Sequence, residues 1–106
     1  METTTLKALS HPFRKYVVEQ LAYGDSYTTA ELKGELNLSK EVVSQHLKIL
    51  RESQLILEMK VGRNKQYCLN PSGIREVLDW AETFQLFWSE KLKDLNQYLE
   101  DQHGED

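Results

Sequence analysis

One cysteine, two prolines, three histidines and no apolar run long enough to cross a bilayer set the first limits on this chain of 106 residues. Cys68 has no partner in the sequence, so an intrachain disulfide framework is excluded, and a reducing compartment, the cytoplasm, is expected. The first residues, Met1-Glu2-Thr3-Thr4-Thr5, carry neither the basic start nor the apolar stretch of a signal peptide. His11, His46 and His103 fall in three separate stretches. With no Ser/His/Asp pattern, no glycine-rich phosphate loop and no histidine–carboxylate cluster at workable spacing, nothing points to an enzyme, and no cofactor is expected. Repeats, low-complexity segments and linkers are also lacking, so residues 1–106 are read as a single domain.

What is present is a globular composition, 40% hydrophobic, on a chain short enough to gain stability by pairing. The net charge of −4 argues at first against a polyanionic partner. Its distribution argues the other way. Residues 33–69 carry seven basic side chains (Lys33, Lys40, Lys48, Arg51, Lys60, Arg63, Lys65) against four acidic ones, net +3, whereas residues 70–106 are net −6. A local basic surface can meet phosphates while acidic flanks limit non-specific binding.

The pattern along the chain is mainly helical. Leu6 to Leu9 is a short apolar patch read as a first helix. Pro12 suits the first position of a second, with Phe13, Val17, Val18 and Leu21 on its apolar face and Gly24-Asp25 ending it. Thr29 is the expected N-cap of a third, with Leu32 and Leu36 inward. Asn37-Leu38-Ser39 then reads as a tight break, Asn37 being able to take a left-handed conformation. Ser39 caps a fourth helix from Lys40 to about Ser53, striped by Val43, Leu47 and Leu50. Two strands, Leu55–Met59 and Gln66–Leu69, flank the loop Lys60–Lys65 as a β-hairpin. Asn70-Pro71 opens a long helix to about residue 101, and Gln102 to Asp106 are expected to fray.

Two helices, a short turn and a basic hairpin together predict a winged helix-turn-helix, mainly α with a β-hairpin wing. The helix-turn-helix spans 29–53, the wing 55–69 and a dimerisation helix 71–101. In such a fold the second helix enters the major groove, polar face outward. Glu41, Ser44, Gln45 and Lys48 share the face opposite the apolar stripe. Ser44 and Gln45 suit base edges, and Lys40 and Lys48 suit phosphates. Glu41 can favour the helix N-terminus or accept from a cytosine amino group. His46 borders the stripe, so it reads either as a core-edge residue or as a contact to the DNA backbone. On the wing, Arg63 suits a narrow minor groove or a phosphate, with Lys60, Asn64 and Lys65 adding backbone contacts.

The segment from Glu31-Leu32 through Ser44-Gln45-His46-Leu47-Lys48-Ile49-Leu50-Arg51-Glu52-Ser53-Gln54-Leu55-Ile56, with Gly62-Arg63 and Tyr67 downstream, resembles the ArsR/SmtB family of repressors. So does the opening Leu9-Ser10-His11-Pro12-Phe13-Arg14, and the likeness covers roughly residues 6–100. The resemblance implies a homodimer that binds an imperfect inverted repeat of double-stranded DNA near its own promoter and blocks transcription. Three features of this sequence depart from the family. Gln54 stands where the family places glycine after the recognition helix, a position of positive φ. The Cys-x-Cys positions of its arsenic-type site are Thr28 and Ala30 here. Its zinc-type spacing on the last helix is also missing, since Asp101-x-His103 matches only the first half. No metal ligands are therefore assigned, and the resemblance is to the branch without the usual metal motifs. An unidentified ligand or protein partner remains open as the regulator.

Trp80, Phe84, Phe87, Trp88, Leu92 and Leu95 are too many large apolar groups for one helix to hide on a small monomer. They are expected, with Leu6 and Leu9, to form the interface of a homodimer. The competing readings are a winged helix that binds only proteins, and a repressor with a non-standard metal or small-molecule site.

Overall fold

In the computed structural model, residues 3–103 are described. Within them a packed unit runs to residue 76, and residues 77 onward form a second unit.

The first helix, α1 (Thr3–Leu9), buries Thr5 and Ala8, while Leu6 is exposed and Leu9 half-buried. Its last carbonyls are not left bare. Arg14 donates from Nε to Ala8 O at 2.8 Å and from its second terminal nitrogen to Lys7 O at 3.2 Å, and the Ser10 hydroxyl donates to Lys7 O at 2.6 Å. The second helix, α2 (Pro12–Tyr23), starts with proline in its first turn, as its missing N–H allows, and buries Phe13, Val17 and Leu21. Its cap is His11, whose Nδ1 accepts from the Phe13 N–H at 3.1 Å.

Then comes an element too short to show in the sequence, the strand β1 (Tyr27–Thr28). Thr28, not Thr29, caps α3 (Thr29–Lys33). Its hydroxyl accepts from Glu31 N at 3.2 Å while the Glu31 carboxylate accepts from Thr28 N at 3.0 Å, a closed capping box. The helix is shorter than its apolar spacing suggests. It ends at Gly34, where φ is 54°, so the left-handed position is there rather than at Asn37. Leu36 consequently lies outside the helix and is exposed, and only Leu32 packs inward. The connection is residues 34–39, longer than a tight three-residue turn.

Ser39 caps α4 (Lys40–Glu52), accepting from Val42 N at 3.1 Å, and Val43, Leu47 and Leu50 are buried on one face. The exit from α4 is the constrained point of the chain. Gln54 is the one non-glycine residue with positive φ (64°) among the described residues, as its place at the end of the helix required. A side chain in that region costs about 1–2 kcal/mol. What compensates is a close approach: Leu55 N donates to Leu50 O, and Asn70 N donates to Leu55 O.

The hairpin is longer than expected. Strands β2 (Ile56–Val61) and β3 (Asn64–Leu69) pair antiparallel through Val61↔Asn64, leaving Gly62-Arg63 as a two-residue turn. Positive φ at Gly62 (63°) and not at Arg63 is the signature of a type II′ turn, whose twist matches the flanking strands. The three-stranded sheet has the order β1-β3-β2, with Tyr27 opposite Tyr67. The core of this unit is Val17, Leu32, Val43, Leu47, Leu50, Leu55 and Ile56, each at most 1% exposed.

Asn70 opens α5 (Pro71–His103), whose first residues still belong to this unit, and its side-chain oxygen accepts from Ser72 N at 3.1 Å. This helix runs through Gln102 and His103, where fraying was expected; residues 104–106 lie outside the described residues. In the second unit the helix leaves Trp80, Phe84, Phe87 and Trp88 between 40% and 57% exposed, and Leu92 and Leu95 are exposed as well. Trp80 meets Phe84 edge-on at 5.1 Å between ring centres, and Phe87 meets Trp88 at 5.4 Å. No helix among the described residues is long and apolar enough to cross a membrane.

Candidate nucleic-acid interface

Burial of Val43, Leu47 and Leu50 fixes the roll of α4, so Glu41, Ser44, Gln45 and Lys48 must face outward, and all four are exposed. Register fixes the hairpin in the same way. Ile56 is buried, so its same-face neighbours Glu58 and Lys60 point to the α4 side, together with Tyr67 and Lys65 across the ladder. Between helix and hairpin lies an open groove of about 680 Å3. Lys40, Ser44 and Lys48 line it from the helix, and Arg63, Asn64 and Lys65 from the wing. Gln45 sits in an adjoining concavity along α4 with Lys40, Glu41, Ser44 and Lys48. Lys60 stands opposite Lys65 on the exposed part of β2, outside the groove lining.

His46 is turned away from this surface. Its ring lies 4.3 Å from that of His11 and 5.3 Å from that of Phe13, and an Arg14 terminal nitrogen sits 3.2 Å from its Nδ1. Arg14 can only donate, so His46 Nδ1 must be unprotonated and the ring neutral. Burial, then the charges of His11 and Arg14, hold the His46 pKa below its ordinary 6.5. A depressed pKa means that this residue contributes stability above pH 6.5, which is lost as pH falls and the folded protein must take up a proton against Arg14. Thermal unfolding followed by circular dichroism is expected to show a stability decrease on acidification below pH 6.5 that is smaller in His46→Gln. An identical pH profile for the two proteins would rule this out.

The floor of the groove holds a network that motif reading overlooked. Glu58 accepts from Arg51 Nη1 at 3.0 Å and from the Tyr67 hydroxyl at 2.9 Å, with Lys65 Nζ at 3.8 Å. Tyr67 is 4% exposed, and burial, then its bond to Glu58, push its phenol up from the ordinary value. The available signal was alternation: a carboxylate two residues from the buried Ile56 is an inward charge on a strand, and such a charge needs partners. Thr28 and Ala30 border the groove too, but among the described residues no three His, Cys, Asp or Glu side chains gather as a metal ion would need.

Residues 11–57 match the family of bacterial regulatory proteins described as the arsR family. The chain is 32% identical over 100 residues to the HTH-type transcriptional regulator Rv2034 of Mycobacterium tuberculosis, covering 94% of this chain and 89% of that one. It is 31% identical over 78 residues to the transcriptional repressor SdpR of Bacillus subtilis, covering 74% and 86%. Among solved structures it is similar to a "possible transcriptional regulator for arsenical resistance", at a TM-score of 0.69 and 29% identity over 78% of this chain and 85% of that one. Identity sustained over most of both chains, on a winged helix-turn-helix with a cationic groove, places this protein in the arsR family of DNA-binding transcriptional regulators.

Proposed function

We propose that the protein is a cytoplasmic repressor that binds, as a homodimer, an imperfect inverted repeat near its own promoter. The observation that carries this reading is the groove that joins Lys40, Ser44 and Lys48 on α4 to Arg63, Asn64 and Lys65 on the wing. α4 enters the major groove with Ser44 and Gln45 against base edges. Lys40, Lys48 and Lys65 meet phosphates, with Lys60 beside them, and Arg63 at the hairpin tip reaches the flanking minor groove or backbone. His46 supports the helix from behind.

Fluorescence anisotropy with DNA from the promoter region, across a salt series, tests this. Gln45→Ala is expected to cost about 1–3 kcal/mol of specific affinity and little on random DNA, and Lys48→Met to weaken both and reduce the salt slope by about one. Zinc or a chelator is expected to change neither. Wild-type protein with no salt-dependent binding would sink the reading and favour a winged helix that engages only proteins.

A further inference from the structure

A carboxylate in a phosphate-binding groove is an electrostatic contradiction. Among the described residues Glu58 is the one acidic side chain lining this groove, where Lys40, Lys48, Arg51, Arg63 and Lys65 also lie. It is not a stray surface charge, because its side chain is 23% exposed and accepts from Arg51 and Tyr67. The geometry resembles the contact that a DNA backbone would make. A guanidinium from the last turn of α4 and an ammonium from β3 converge on one anionic group, at 3.0 and 3.8 Å. Arg51 and Lys65 remain 42% and 60% exposed in their side chains, so an incoming phosphate can reach both.

We propose that Glu58 is an internal stand-in for a DNA phosphate: it occupies Arg51 and Lys65 in the free protein and so lowers affinity for DNA of any sequence. This rests on the assignment of the groove as the DNA interface. The physics is competition. Each phosphate neutralised by a protein cation releases counterions, and that sequence-independent term dominates binding to random DNA. A cation already paired with an internal carboxylate releases fewer counterions when it meets a phosphate. Base-edge contacts from α4 do not pass through Glu58, so its effect falls on the sequence-independent term and lowers affinity for random and promoter DNA by similar factors. Glu58 thereby sets the overall strength of DNA binding rather than the choice of sequence. The same carboxylate holds the Tyr67 hydroxyl of β3 and the last turn of α4 together, so it is also a positioning residue for the wing.

The test is Glu58→Gln, which keeps the shape and one acceptor while removing the charge. Anisotropy is measured with a random-sequence duplex and with promoter DNA, each across a salt series, with circular dichroism to establish folding. Affinity for the random duplex is expected to rise roughly five- to tenfold near 0.1 M salt, with a salt slope steeper by about one, as one added phosphate contact gives. Affinity for promoter DNA is expected to rise by a similar factor, leaving the ratio of promoter to random affinity nearly unchanged. A folded variant with unchanged or weaker random binding and an unchanged slope overturns the proposal, and identifies Glu58 as a purely structural tie. If Glu58→Gln does not fold, the pair Glu58→Met with Tyr67→Phe makes the same charge change without orphaning the hydroxyl, and the same outcomes decide. The reading of the groove fails separately, and takes this proposal with it, if wild type shows no salt-dependent binding or Lys48→Met leaves it unaltered.

Discussion

Gly73→Ala is expected to lower the thermal midpoint by about 12 °C or more, corresponding to at least about 3 kcal/mol, although it adds a single methyl group. A Cβ at this position would stand 1.7 Å from the carbonyl oxygen of Gln54 and 2.6 Å from its carbonyl carbon. Those are backbone atoms, and they belong to the residue already held at positive φ. They have little room to retreat, because Leu55 N is bonded to Leu50 O on one side of the peptide and Leu55 O receives Asn70 N on the other. Relief therefore requires shifting the end of α4 or the start of α5. Differential scanning calorimetry on the two proteins measures the effect, and a midpoint within 3 °C or so of wild type would show that the approach of the two segments is not tight.

The second large effect concerns assembly. If the protein is the proposed homodimer, Trp88→Glu is expected to convert it to a monomer in sedimentation velocity and to weaken binding to a full inverted repeat by about 100-fold or more. Its weaker binding to a single half-site should be retained. The second unit presents Trp80, Phe84, Phe87, Trp88, Leu92 and Leu95 to solvent along one helix, and the Lys91 ammonium lies 5.6 Å from the Phe87 ring. Apolar exposure on that scale calls for a covering surface, and in the proposed homodimer a second copy of the same helix, with Leu6 and Leu9, would be that surface. Because two half-sites bound through one dimer act as linked events, losing the link removes affinity without touching any base contact. A monomeric wild type, or a Trp88→Glu protein that stays dimeric with full affinity, would refute this arrangement.

Much of the recognition unit was legible from residue spacing. Ser39 followed by Val43, Leu47 and Leu50 fixes both the start and the roll of α4, since capping and a single apolar stripe agree. The conformation of Gln54 was legible only through family resemblance, for nothing in glutamine itself asks for positive φ. Where two threonines adjoin, propensity cannot choose between them, and the capping box with Glu31 selected Thr28. Leu36 misled because apolar spacing continues past Gly34 while the helix does not. β1 was invisible because two residues cannot display alternation, and its identity as a strand comes from β3 beside it. The groove residues on α4 and at the hairpin tip were found as cations and short polar groups. The Glu58 network was not, because Arg51 and Glu58 meet only when the helix end is folded against the wing.

The two-residue turn at Gly62-Arg63 also limits how such a hairpin can lengthen. Ile56 and Leu69 anchor its base as a register pair. One residue added to each strand moves the tip outward by about 3.4 Å but turns it to the opposite face of the ribbon. Two residues on each strand restore the facing and extend the reach by about 7 Å. Four-residue insertions are therefore the smallest that extend this wing while keeping its terminal arginine aimed as it is, and a library varying wing length should be enriched in multiples of four.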